Sequence, residues 1–371
     1  MLVSIVNHQI YEIIEIRGSK CTIFLTLAQQ NLKIKAMLHL RIGKRTFLLA
    51  LLIVSISSVV YSAKNIPYCI GADISWVQQQ EDKGLSYSDQ GVKKDVLTIL
   101  KDHGFNWIRL RLFVDPKAAK GYSKEGYCDL EHTLAMAKRI KASGMKLLLD
   151  FHYSDTWADP GKQYTPSSWD SLKGKNLEDK VFSYTKIVLL LFKRMGLSPD
   201  MVQIGNEINH GMVWPAGRTD STLIPLSNLL RRASQAVRAV DPKARIMIHL
   251  ACGGQNKESV WFLDRILRNG VKFDIIGQSY YPEYHGTLDD LKNNLTDLIA
   301  RYHKPVVVVE YQVFRKEVNE IVLNLPDKKG LGTFIWEATS PRWGNLFDKD
   351  GITTENIKLY PELSEKFNKR R

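Results

Sequence analysis

Cysteine is scarce in this chain. Four of its 371 residues are cysteine: Cys21, Cys69, Cys128 and Cys252. Their wide spacing excludes a disulfide framework and a zinc-ligand cluster. Cys69 and Cys252 fall in or beside apolar runs, so buried free thiols are expected. No Gly-rich dinucleotide loop follows the first strand pattern, which argues against an open nucleotide-binding sheet. No His-x-His pair stands at a strand end, which argues against a metal-dependent barrel hydrolase. Lys and Arg outnumber Asp and Glu by 52 to 39, yet the main body has no dense basic run. With no nucleic-acid-binding motif either, the excess reads as solvated surface and excludes RNA or DNA as a partner. Internal repeats, low-complexity stretches and linkers are also absent.

The N-terminus differs from the rest. Residues 1–62 carry 7 Lys and Arg against 2 Asp and Glu. "RIGKR" (41–45) is a basic segment, and "FLLALLIVSISSVV" (47–60) is an apolar run of signal-peptide length, short for a membrane span. Cleavage after Ser62 would place small or permissive residues at the required positions. Met37 stands just ahead of the basic residues and is the expected true start. The expected organisation is therefore an extension plus signal peptide over residues 1–62 and one catalytic domain over 63–371. An uncleaved membrane anchor is the alternative.

From about residue 66 the chain alternates short apolar runs with longer amphipathic ones. Eight strands are read: "YCIGADI" (68–74), "NWIRLRLF" (106–113), "KLLLDFH" (146–152), "MVQIGNE" (201–207), "RIMIHLA" (245–251), "FDIIGQSYY" (273–281), "PVVVVEY" (305–311) and "GTFIWEA" (332–338). Helix patterns fill 91–103, 130–143, 177–196, 222–240, 257–269, 288–303 and, weakly, 315–324. Several strands are nearly continuous in Val, Ile and Leu, as parallel strands buried on both faces are. Eight β/α units point to a single (β/α)8 TIM barrel.

In such barrels reactive residues stand at the C-terminal strand ends. Seven of the eight strands carry or lead into acidic, amide, His, Tyr, Trp or Arg residues there. Glu207 ends strand four and Glu310 ends strand seven, which lie on opposite sides of a closed barrel. Paired carboxyls suit glycosidic cleavage, one protonating the leaving oxygen while the other attacks the anomeric carbon. Their separation is about 5–5.5 Å in retaining enzymes and about 6.5–9.5 Å in inverting ones. Arg109, inward on strand two, is placed to hold the attacking carboxylate ionised by attraction. Arg111 shares its parity and is the weaker candidate. Trp336 is the candidate platform for the reacting sugar, since pyranose C–H faces stack on aromatic rings. Trp157, Trp214 and Trp343, in loops after strands three, four and eight, suggest an extended groove.

At these residues a resemblance enters. "GADISW", "DFHYSDTWADPGKQ", "GNEIN.G..WPAG", "GQSYYPEYHGTL" and "VVVVEY" resemble glycoside hydrolase family 53, the endo-β-1,4-galactanases that cut arabinogalactan side chains of pectin. The similarity runs from about 68 to 355, and "YSDTWADPGKQ" is its most specific part. The resemblance implies that Glu207 is the acid/base and Glu310 the nucleophile. It implies that Asn206 bonds the sugar's 2-hydroxyl, that Tyr281 orients Glu310 and that Arg109 supports it. It places His152 in the subsite of the reacting sugar, and Asp155, Trp157, Asp159 and Gln163 in the family's strand-three loop. Some bacterial members carry an Asp-rich calcium loop after strand seven. Here "QVFRKEVNEIVLNLPDKKG" is short and lacks that cluster, and "FDKDG" (347–351) reads as a turn.

The expectation is a secreted, periplasmic or cell-surface retaining endo-β-1,4-galactanase of the same clan as other barrel glycosidases. It needs no cofactor and no metal. Its partner is β-1,4-galactan; it is a monomer, with membrane contact only through the signal peptide. A clan relative acting on mannan, xylan or cellulose is the alternative, and a non-catalytic galactan-binding barrel is another.

Overall fold

A computed structural model describes residues 68–343 and 346–368, all within one compact unit, Ile66–Arg371. The expected signal peptide and the N-terminal extension lie outside the described residues. Eight strands close into a parallel barrel, each bonded to its neighbours in chain order. They are β1 (Cys69–Asp73), β2 (Trp107–Leu112), β3 (Lys146–Phe151), β4 (Met201–Ile204), β5 (Arg245–Leu250), β6 (Ile275–Tyr280), β7 (Val306–Tyr311) and β8 (Gly330–Ile335). Closure runs through β1 against β8, with Cys69 opposite Gly332 and Ala72 opposite Ile335.

One main helix follows each strand: α1 (Val96–Asp102), α2 (Leu130–Ala142), α3 (Gly174–Arg194), α4 (Ile224–Val240), α5 (Asn256–Arg268), α6 (Leu288–Tyr302), α7 (Arg315–Leu323) and α8 (Leu359–Asn368). Local chemistry sets several starts. Asp95 and Asp129 cap α1 and α2 by accepting backbone N–H groups, and Thr287 with Asp290 forms a capping box on α6. Most helix windows read from periodicity hold within a few residues, but the first, 91–103, begins only at Val96 because Val92–Lys93 pairs as a strand with Ser88–Asp89. That reading did not include α8, whose buried face is Tyr360, Leu363 and Phe367.

Alternation along the strands sorts apolar residues into two shells. Trp107, Leu148, Met201, Met247, Ile275, Val307, Val309 and Phe334 pack inside the barrel. The opposite parity meets the helices. Gly71 leaves room for Phe334, whose ring would lie 2.1 Å from a Cβ at that position. The upper inward layer is polar, with Arg109, Asp150, Gln203, His249 and Ser279 all buried. That layer is the floor of the site.

Two strand ends depart from the reading by alternation. β4 stops at Ile204, not Glu207, because Gly205 (φ +93°) turns the chain and Glu207 itself is left-handed at φ +49°. In β7 the register slips: Val308 faces Gln278, but Glu310 faces Ser279, so Val309 is the extra residue of a bulge. Val309 points into the barrel, and the bulge turns Glu310 inward as well, where strict alternation would point it at the helices. The "FDKDG" segment is a turn as expected: Asp348 Oδ1 accepts the N–H groups of Asp350 and Ile352, both at 2.9 Å.

The inner packing is tight, so Leu148→Ala should destabilise the barrel by about 2–5 kcal/mol. The exposed Met195→Ala on the outside should change stability by less than about 0.5 kcal/mol. Chemical denaturation midpoints check both, and equal effects would contradict the two-shell core.

Candidate functional site

The mouth of the barrel opens into a cavity of about 710 Å³ above the polar layer. Arg109 lies at its base and is buried. Its Nη1 meets Glu310 Oε1 at 2.8 Å and Asp73 Oδ2 at 3.1 Å. Its Nη2 donates to Asp150 Oδ2 at 2.8 Å and Asn206 Oδ1 at 2.7 Å. One cation thus ties the ends of β1, β3, β4 and β7 together. Tyr281 donates its hydroxyl to Glu310 Oε2 at 3.1 Å. Ser279 donates to Glu207 Oε1 at 2.6 Å. An oxygen of Glu207 and an oxygen of Glu310 lie within 4.8 Å of each other. That approach fits the close pairing of carboxyls in retaining glycosidases.

The two carboxyls differ in their surroundings. Burial, reinforced by the nearby Glu310 charge, pushes Glu207 up to about 8, against a weaker pull from Ser279 and Arg109. Burial also raises Glu310, but Arg109 opposes it at contact distance, and the Tyr281 hydrogen bond adds to that pull. The shared proton therefore belongs on Glu207 and the charge on Glu310. His249 approaches both, and the three side chains could in principle hold a metal. The His249 ring is engaged instead, meeting Ser279 at Nε2 and the Glu207 N–H at Nδ1. Arg109 also puts a positive charge against Glu310, where a cation would have to sit.

One wall is aromatic. Trp76, Trp157 and Trp336 form a cluster with centroids 6.1–6.2 Å apart. The Arg111 guanidinium lies 4.1 Å over Trp157 and pairs through Nη1 with Glu337 Oε1. Glu337 is fully buried, left-handed at φ +45° and pushed up to about 8 by burial. Left-handed non-glycine residues are uncommon and gather at functional sites.

The structure gathers most of the residues picked out from sequence. Glu207, Glu310, Asn206, Arg109, His152, Tyr281, Trp157, Asp159 and Trp336 line the cavity. His152 lines it through its ring, because both nitrogens are occupied: Nε2 by Asp150 at 3.1 Å and Nδ1 by the Ala158 N–H at 3.1 Å. Three candidates are not on the wall. Asp155 clamps loops, accepting the N–H groups of Asp115 at 3.0 Å and Ser167 at 2.8 Å. Gln163 stands behind the turn after β4, donating to the carbonyls of Asn206 at 2.8 Å and Glu207 at 3.2 Å. Trp214 packs beneath Arg218, 4.8 Å from its ring centre, with Nε1 bonded to the His210 carbonyl. All three spend their polar groups on the backbone of loops and turns beside the cavity. The Trp343 side chain lies outside the described residues.

Asp73, Trp76, Asp150, Gln203, His249, Ser279 and Glu337 were not singled out. All but Trp76 and Glu337 lie on inward positions of their strands, so parity carried their signal. Trp76 closes "GADISW", and Glu337 follows Trp336, the platform candidate.

A closed parallel barrel with two carboxyls paired across its mouth defines a class, the (β/α)8 glycoside hydrolases. The pattern of "Glycosyl hydrolase family 53" matches residues 69–317. A protein of Niallia circulans described as an uncharacterized protein in the bgaB 5′ region is 46% identical over 67% of this chain and 68% of its own. The arabinogalactan endo-β-1,4-galactanase A of Aspergillus niger is 35% identical over 74% of this chain and 85% of its own. The solved family 53 catalytic domain of Ignisphaera aggregans superposes with a TM-score of 0.74 at 32% identity, covering 81% of this chain and 97% of that one. The chain belongs to glycosyl hydrolase family 53.

Because Asp155, itself buried, accepts the backbone N–H groups of two loops, Asp155→Ala should cost about 1–3 kcal/mol. Limited proteolysis should then cut within 113–122 or 154–167 first. Unchanged stability with lowered substrate affinity would instead put Asp155 on the sugar.

Proposed function

We propose that the protein is a retaining endo-β-1,4-galactanase acting on the galactan side chains of type I arabinogalactan by double displacement. The observation that carries this reading is the Glu207–Glu310 pair, within 4.8 Å and with unequal charged neighbours, in a family 53 barrel. The substrate follows from the galactanase named among the relatives.

Glu310, charged and oriented by Arg109 and Tyr281, attacks C1 of a galactosyl unit. Glu207 gives its proton to the departing glycosidic oxygen as the C1–O bond breaks. The glycosyl–Glu310 ester then meets a water, from which Glu207 takes a proton. The water oxygen bonds to C1 and Glu310 leaves as the carboxylate, so configuration is retained. Asn206 has one amide hydrogen on the Ala158 carbonyl at 2.8 Å. Its second amide hydrogen serves the 2-hydroxyl. Trp336 supplies the face on which the ring stacks, with Trp157 and Trp76 continuing the wall. The short loop after β7 shapes the glycone end of the groove.

The basic, apolar and small-residue run ahead of residue 63 supports export to the medium, periplasm or cell surface. Among the described residues no helix is long and apolar enough to cross a membrane. N-terminal sequencing of exported protein should begin near Ala63.

Glu310→Gln should retain less than about one per cent of the activity on linear β-1,4-galactan, since removal of a nucleophile costs several powers of ten. Retention of a larger share would remove Glu310 from this role. The acid is protonated below its raised value, so kcat/KM should fall as pH rises through about 8. A basic limb near the ordinary carboxylate range would contradict the assignment of Glu207. Reducing ends released from galactan, and not from mannan, xylan or cellulose, check the substrate.

A further inference from the structure

Glu207 has two oxygens, and only one can deliver a proton to the sugar. Oε1 is tied to Ser279 Oγ at 2.6 Å, on the barrel side. Oε2 carries no hydrogen bond among the described residues and is the oxygen left to the cavity. Behind Ser279 lies His249, fully buried, with Nε2 at 2.8 Å from Ser279 Oγ.

The ring's tautomer follows from its other nitrogen. Nδ1 is 3.3 Å from the backbone nitrogen of Glu207, which can only donate. It is also 3.1 Å from Gln203 Nε2. That amide group faces the acceptors Asp150 Oδ1 at 2.6 Å and the Gly205 carbonyl at 3.1 Å, so it is the donor end of the side chain. Asn206 Oδ1 approaches Nδ1 at 3.0 Å, but its two lone pairs already meet Arg109 Nη2 at 2.7 Å and Gln203 Nε2 at 3.2 Å. Nδ1 therefore faces the Glu207 N–H, which only donates, and keeps its lone pair. Burial lowers His249 well below its ordinary value, so the ring is neutral and Nε2 holds its hydrogen.

We propose that Ser279 and His249 are positioning residues that select the proton-bearing oxygen of Glu207. His249 Nε2–H donates to Ser279 Oγ, whose hydrogen is thereby directed onto Glu207 Oε1. Oε1 stays an acceptor, and the acid's proton resides on Oε2, facing the leaving group. In the reverse chain, with hydrogen on Nδ1, the proton would sit on Oε1 and point into the wall. The inference rests on Glu207 being the acid/base. The groups facing Glu207 are Glu310 from β7, Arg109 from β2, Asp159 from the loop after β3 and Ser279 from β6. Those facing His249 include Arg109, His152 and His285.

The test compares two substrates. Linear galactan needs protonation of its leaving oxygen, whereas a dinitrophenyl β-galactobioside does not. General acid assistance is worth about 10²–10⁴ in rate, so Ser279→Ala should lower kcat/KM on galactan by about tenfold or more. On the dinitrophenyl substrate the change should stay under about threefold, because that bond breaks without the acid. The basic limb of the galactan profile should move to higher pH, since a hydrogen bond to the ionised carboxyl is lost. His249→Gln should shift both readouts in the same direction and add nothing to Ser279→Ala in the double variant. Equal losses on the two substrates, or an unmoved basic limb, overturn the proposal. If Ser279→Ala does not fold, His249→Gln with the same two readouts decides. Failure of the underlying reading has its own signature: Glu207→Ala would be no better on the dinitrophenyl substrate than on galactan, and azide would yield no β-galactosyl azide.

Discussion

A guanidinium withdrawn from water is tolerated only where fixed acceptors replace its hydration. Arg109 meets that demand with Asp73, Asp150, Glu310 and Asn206, which reach it from four different strand ends. The arrangement orders the barrel mouth, because no one of these acceptors could be buried there alone. It also leaves more carboxylate than cation in the same small volume. That imbalance keeps a proton on the one carboxyl with no cation at contact distance, Glu207. Glu310, touching Arg109, is the one best able to stay charged.

Regular strands alone could not deliver these groups. Alternation would send Glu310 toward the helices, and a longer β4 would carry Glu207 up the wall. The bulge at Val309 and the left-handed turn at Gly205–Glu207 bring both carboxyls to the cavity. A third irregularity, left-handed Glu337, sets the partner of Arg111 beneath Trp157. Such positions are unfavourable in isolation and persist where dense packing determines the backbone. Here the two-shell core and the Arg109 network supply that packing.

Much of the architecture was legible along the chain. Val306–Val309 read as a doubly buried strand, and the eightfold alternation read as a barrel, because burial on both faces leaves a continuous apolar trace. Glu207, Glu310 and Arg109 stood out for the same reason: charged residues at the ends of such strands have nowhere but the mouth to go. α8 was missed because its short pattern follows a loop with no strand after it. His249 and Ser279 were missed because a lone histidine or serine in an apolar strand is ordinary, and only their inward parity marked them. Trp214, Asp155 and Gln163 looked like groove residues, but their hydrogen bonds go to loop and turn backbone outside the cavity, often far along the chain.

By itself the sequence determined the barrel, the pair of carboxylates and the family, since these depend on periodicity and on residue types at strand ends. The tertiary structure decided which carboxyl holds the proton and which aromatic rings form the wall. It also decided which polar residues point inward to hold them. Those properties arise from distances between segments far apart in the chain, and from burial, which no local pattern encodes.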